Sequence, residues 1–340
     1  MKNLILFFSL YLFTSNAQNI GGFISIEPQL QSHNFIIPST HTFQKIIEEG
    51  DVLTQGGVLA GNSDFTGYVP INGSSENGYL SINSELEPGG LSILDINFNQ
   101  VTKLWETTLS QSVDFSSVGG TAKNCSGTVT AWNTIISCEE TLSYSDLNND
   151  GHNDLGWCVE VDPITKTVID KRWALGNFKH ENIAIHNNNR TVYLGADSNP
   201  GYLYKFVATN AEDLSTGALY VFSGSKNGSG NWIQINNSTP DDQHTTLEQS
   251  VNVGATVFNG IEDVEIGPEG LIYFAVKGEG RVYRFQDSDP LTGMNVIGME
   301  TFVGNASYEI QHEYGVTPVD WGYGNDNLAF DGEGNLWVLQ

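Results

Sequence analysis

Glu181-Asn-Ile-Ala-Ile185, Glu262-Asp-Val-Glu-Ile266 and Asp326-Asn-Leu-Ala-Phe330 open three segments built on one plan. Each begins with an acid and alternates into a strand. Each then turns, through an Asn-rich stretch, Gly267-Pro-Glu-Gly270 or Asp331-Gly-Glu-Gly334. An aromatic-bearing strand follows in every copy: Thr191-Val-Tyr-Leu194, Leu271-Ile-Tyr-Phe274 and Asn335-Leu-Trp-Val338. Alternation at period two between Gly/Asn/Asp turns is a strand signal, and its recurrence marks a repeat architecture. Repeated hairpins that close about an axis make a β-propeller, in which equivalent positions converge at one mouth. The expected fold is therefore all-β, a propeller of six blades, with the opening acids facing one another. Two further pairs read as hairpins: Thr191–Leu194 with Tyr202–Val207, and Leu271–Val276 with Arg281–Phe285. The third copy stops at Gln340 without a return strand, so the sequence is expected to lack its closing C-terminal part unless the N-terminal segment closes the ring.

Outward from these repeats, the composition narrows the function. The 340 residues carry 40 Asp+Glu against 14 Lys+Arg, a net charge of −26, which repels nucleic acid. With 39 % apolar and 11 % aromatic residues, the chain can bury a sizeable core. Carboxylates in such excess are either solvated or hold cations. Residues 1–17 read as a signal peptide: Lys2, an apolar run from Leu4 to Phe13, and Ser15-Asn-Ala17 as the cleavage signal. No later segment is apolar enough to span a membrane. Residues 18–340 then form one exported domain, periplasmic or extracellular and expected to be monomeric. Three Cys leave at least one thiol without a partner in the chain.

Three stretches carry candidate chemistry. Asp146-Leu-Asn148-Asn-Asp150-Gly-His-Asn-Asp154 matches the oxygen-ligand spacing of a calcium loop, with Gly151 at the sharp turn and Trp157 where an EF-hand has Glu. A separate, structural Ca²⁺ at Asp146, Asn148, Asp150 and Asp154 is the expectation. Asn124-Cys125-Ser-Gly127 precedes Cys138-Glu139-Glu140. Two of Cys125, Cys138 and Cys158 could form a disulfide, or a thiolate with nearby acids could hold a metal such as iron. The third set is the repeat acids with Glu85 and Asp197. His180, beside Glu181 on one strand, points to the opposite face. No G-x-S-x-G, P-loop or H-E-x-x-H occurs.

Taken in order, Gly78–Gly90, Asn124-Cys125 through Cys138-Glu-Glu140, Lys179-His-Glu181, Val192–Asp197 with Tyr202–Phe206, Phe258–Asp263 and Asp326–Phe330 resemble the PhoX-type alkaline phosphatases. The resemblance implies a propeller whose mouth holds ferric iron and Ca²⁺ and hydrolyses small phosphomonoesters. It implies iron at Cys125, Glu181 and Glu262. It further implies calcium at Glu85, Glu139, Glu140, Asp197, Asp263 and Asp326, and a phosphate contact from Asn124. Three departures stand out. Gly260 occupies the place of the family's phosphate-binding Arg, the leader has no Arg, and the family's acidic ligands beyond Asp326-Asn327 are absent. An Arg restored at 260 is expected to strengthen phosphate binding. The alternatives are another calcium-dependent propeller hydrolase, a phytase or lactonase, or a non-catalytic calcium-stabilised binding propeller.

Overall fold

Short strand-forming runs between tight turns fold into consecutive antiparallel meanders. The computed structural model describes residues 22–30 and 33–340, and the leader at 1–17 lies outside the described residues. The first meander is β1 (Ser63–Pro70), β2 (Asn77–Ser84), β3 (Gly90–Asn99) and β4 (Leu104–Ser112). The second is β5 (Asn124–Val129), β6 (Ile135–Glu139), β7 (Cys158–Asp162) and β8 (Thr167–Lys171). The third is β9 (His180–Ile185), β10 (Thr191–Ala196), β11 (Leu203–Asn210) and β12 (Asp213–Gly224). After β13 (Gly228–Ile235) comes the fourth: β14 (Ile261–Ile266), β15 (Ile272–Val276), β16 (Arg281–Asp287) and β17 (Asn295–Gly304). Two hairpins follow, β18 (Ser307–His312) with β19 (Gly315–Asp320), and β20 (Leu328–Phe330) with β21 (Leu336–Val338).

The first strands β1, β5, β9, β14 and β20 abut one another in that order around a common axis. The fold is a β-propeller: four four-stranded blades and the opening hairpin of another among the described residues. Both sequence-read hairpins are present as β10–β11 and β15–β16, and the three repeat segments are the first two strands of successive blades. β13 pairs with β12 on one side and β17 on the other, joining blades three and four at the rim.

Strands near the axis are covered on both faces by neighbouring blades, so β10 is buried at every residue. The outermost strand β4, with one face in water, buries only Ser110 fully. Each inter-blade space is a core. Val69, Leu91, Ile93, Ile135 and Val159 fill the first, and Ile136, Leu175, Phe178, Leu194 and Phe206 the second. Phe222, Trp232, Phe258, Val264 and Phe274 fill the third. At ~1.5–3 kcal/mol per fully buried large side chain, these seams hold the blades in register. Gly195 permits one such approach, because a Cβ there would lie 2.2 Å from Ile261 Cγ2. The helices are short, α1 (Pro240–His244) and α2 (Thr246–Asn252), the first closed by a Thr239/Asp242 capping box. Among the described residues, no helix is long and apolar enough to cross a membrane.

Candidate metal centre at the propeller mouth

The second residue of each complete blade's first strand points to the axis: Asp64 on β1, Cys125 on β5, Glu181 on β9 and Glu262 on β14. Asp326, two residues before β20, completes this inner ring. An outer ring comes from the residue that follows each second strand. These are Glu85 after β2, Glu140 after β6, Asp197 after β10 and Lys277 after β15. Antiparallel hairpins bring the start of one strand beside the end of its partner, so the two rings are one structural consequence.

The ligand atoms interlock in four sets, each within 4.8 Å: Asp64–Cys125–Glu181, Glu85–Cys125–Glu140, Glu140–Glu181–Asp197, and Glu181–Glu262–Asp326. Glu181 belongs to three sets and is the hub. Seven carboxylates and one thiol therefore share one site. Cys125 carries no disulfide, and its Sγ lies 3.4 Å from Asp64 Oδ2.

Without cations this site resists its own charge. Burial, then Glu262, pushes the Glu181 carboxyl well up from the usual range. Burial and Asp197 push Glu262 up to about 8, against the pull of Lys277. Burial also raises Asp64 and Glu140, and burial with the Glu181 carboxylate raises the Cys125 thiol. Lysines offset part of this charge. Lys123 Nζ reaches Glu85 at 3.3 Å and Lys179 Nζ reaches Glu140 at 3.4 Å. Lys277 Nζ lies 3.1 Å from Glu262 Oε1 and 3.4 Å from Asp326 Oδ2. Desolvation of Lys277 is outweighed by Glu262, Asp326 and Asp197, so its ammonium is held charged. Mixed carboxylate and thiolate oxygen and sulfur donors suit iron with harder calcium neighbours, and the donor set fits both ions.

Strand alternation sends the neighbours of the ring residues elsewhere. Asn124 is fully buried: its Oδ1 accepts from Thr121 and its Nδ2 donates to Ser137 Oγ at 2.9 Å. It thus does not offer its amide to the mouth, contrary to the expected phosphate contact. Glu139 is fully buried opposite Glu140, paired with Lys171 Nζ at 3.0 Å and accepting from the Gly156 and Trp157 N–H groups. Asp263 accepts from Asn182 Nδ2 and from Leu328 N, tying β9, β14 and β20 together. Neither acid joins the expected calcium set, because protein donors already occupy both. His180 faces away, as alternation requires. Burial lowers it to about 4, and its Nε2 lies 2.9 Å from Gly176 O.

The loop at Asp146–Asp154, the expected structural calcium loop, bonds largely to itself. Asp146 accepts from the Asp150 and Gly151 N–H groups, while Asp154 accepts from Leu147 N and Ser145 Oγ. Asn148 donates to Asp150. Asp146 and Asp150 thus close Asx-type turns on the loop backbone, and among the described residues Asp146, Asp150 and Asp154 are not in the acid groups whose ligand atoms lie within 4.8 Å of one another. The loop packs against α1, with His152 stacked on Trp173 at 4.2 Å.

Gly260 has φ +76, and a Cβ on it would lie 2.7 Å from Asp197 Oδ1. An Arg at 260 would be strained at this φ, and its Cβ would require the Asp197 carboxylate to shift. Two site residues were missed from sequence. Asp64 sits in Ser63-Asp-Phe-Thr, which lacks the acid-led repeat pattern, and Lys277 opens a turn that gave no direction for its side chain. A blade-by-blade alignment of strand starts and ends would have found both.

Residues 100–340 match the family model described as alkaline phosphatase PhoX. Pseudomonas fluorescens PhoX in complex with vanadate, a transition state analogue, is similar in structure with a TM-score of 0.74. It is 19 % identical, and the match covers 93 % of this chain and 83 % of that one. That likeness shows a shared fold. Pseudomonas aeruginosa periplasmic gluconolactonase PpgL is similar at a TM-score of 0.47 and 8 % identity, over 86 % of this chain and 74 % of that one. No curated protein matches the chain.

Proposed function

Because the chain belongs to the PhoX alkaline phosphatase family, we propose that it is an exported, metal-dependent phosphatase acting on small phosphomonoesters at the propeller mouth. The observation that carries this reading is the double ring of seven carboxylates and one thiol, gathered from five blades around Glu181. A phosphate dianion would be repelled by these groups alone, so they act as a cage for cations. Cys125, Glu181 and Glu262 would hold ferric iron. Asp64, Glu85, Glu140, Asp197 and Asp326 would complete the shell with calcium. Bound there, such ions supply Lewis acidity to the phosphoryl group and lower the pKa of an attacking water.

The chain's own residues then have separable tasks. Asp64, Cys125, Glu181 and Glu262 would fix the cations from rigid strand starts, with Asp326 reaching in from the loop before β20. Lys123 and Lys179 balance Glu85 and Glu140 at the rim. Lys277 stands where the other three complete blades carry an acid, beside Gly260, in a cavity also lined by Lys179, Asp197, Asn259 and Glu262. Its ammonium takes the place of the missing guanidinium as a point-charge contact to phosphate. The leader at 1–17 exports the protein, which acts as a monomer.

The test is phosphate release from an aryl phosphate by purified protein, with and without chelator, alongside elemental analysis. Chelator-sensitive release with iron and calcium bound supports the reading. No release from metal-replete protein, or calcium alone without phosphatase activity, refutes it.

A further inference from the structure

Cys138 and Cys158 lie directly opposite each other on β6 and β7. The Glu139 N–H donates to Trp157 O, so the cysteines form a non-hydrogen-bonded cross-strand pair. Such pairs bring Cα atoms to about 4.5 Å, inside the span a disulfide bridges. Both side chains project into the same core between blades two and three, beside Leu175 and Phe178. Their sulfurs are 3.7 Å apart, and neither is exposed. Cys125 is excluded from this pairing because its Sγ faces Asp64 at the mouth.

We infer that Cys138 and Cys158 are the site of an intrachain disulfide, formed when the chain folds in an oxidising compartment. The co-reactant is a disulfide oxidant. One cysteine thiolate attacks it and releases one oxidant thiol. The second cysteine then attacks the mixed disulfide, closing the Cys138–Cys158 bond and releasing the other oxidant thiol. Two protein thiols are oxidised and one oxidant disulfide is reduced. Because the folded pair is sealed from solvent, oxidation occurs during folding, before blade three covers blade two.

The bond has a definite place in the fold. It joins positions 20 residues apart and staples the base of the segment that carries Glu140 and the Asp146–Asp154 loop. Closing that segment removes conformations from the unfolded chain and holds the outer-ring end of β6 against β7. Pairing Cys138 with Cys158 also leaves Cys125, the soft donor of the mouth, free for metal.

The test uses full-length protein exported to an oxidising compartment, denatured in acid, and alkylated without reductant. Intact mass and non-reducing peptide mapping then read the thiols. The expected result is one alkylated cysteine, Cys125, and a linked peptide pair containing Cys138 and Cys158 that separates on reduction. Three alkylated cysteines, or a link involving Cys125, would overturn the inference.

Discussion

Replacing Lys277 by Met separates a substrate contact from a mere counterion. The Lys277 side chain is 48 % exposed, and its Nζ lies 3.1 Å from Oε1 of Glu262, whose side chain is 2 % exposed. Only the lysine end of the pair is exposed, since Glu262 is buried, so its loss should cost the metal-free fold more than the ~0–1 kcal/mol of a surface ion pair, and stability has to be followed beside affinity. A charge-assisted hydrogen bond to phosphate is worth ~1.5–3 kcal/mol. At about 1.4 kcal/mol per tenfold, its removal should weaken phosphate binding roughly ten- to a hundredfold. The assay is competitive inhibition of aryl phosphate hydrolysis by inorganic phosphate, with the metal content of each preparation measured. Metal content is needed because Lys277→Met also strips a cation from Glu262 and Asp326, which should tighten their hold on metals. Lys277→Arg should keep most of the affinity, and Lys277→Glu should lose more than Met does. Unchanged phosphate inhibition in Lys277→Met at equal metal content would refute the role assigned to this lysine.

Gly260→Arg is expected to weaken rather than strengthen phosphate inhibition, since an L side chain is strained at φ +76 and its Cβ would displace the Asp197 carboxylate. Tighter inhibition would show that the turn can rearrange. Chelated protein should lose stability as pH rises from about 5 to 8. The folded state keeps protons on Glu181 and Glu262 that the unfolded chain gives up near the ordinary carboxylate pKa. The slope is at most about 1.4 kcal/mol per pH unit for each such proton, and restoring metals should flatten it, as thermal melts across pH would report. Lys171→Met should destabilise the fold by about 3–5 kcal/mol in urea, because it strands the fully buried Glu139. A loss below about 1 kcal/mol would mean that Glu139 is already neutral there.

The fold was legible because a propeller repeats, and three of its hairpins kept the same acid–strand–turn–aromatic plan. The site was only half legible, for a reason that lies in strand geometry. Its polar residues come in adjacent pairs: Asn124-Cys125, Glu139-Glu140, His180-Glu181 and Glu262-Asp263. In each pair one side chain faces the mouth, while the other is bonded into the blades. Alternation separates the members but does not say which is which without a fixed register. For His180-Glu181 the choice followed from chemistry, since an acid belongs with acids. For Glu139-Glu140 both members are acids, so composition had nothing to choose between, and the buried Lys171 that claims Glu139 lies on a strand 32 positions away. Asp64 shows the opposite difficulty. Its blade carries no acid-led repeat, and only its place as the second residue of an innermost strand marks it. Lys277 follows from the same placement: it stands where Glu85, Glu140 and Asp197 stand in the other blades. A cation fixed among acids that could hold a metal can neutralise one of them or receive an anion. The measured phosphate affinity of Lys277→Met decides between those two, because only the second makes that affinity depend on the ammonium.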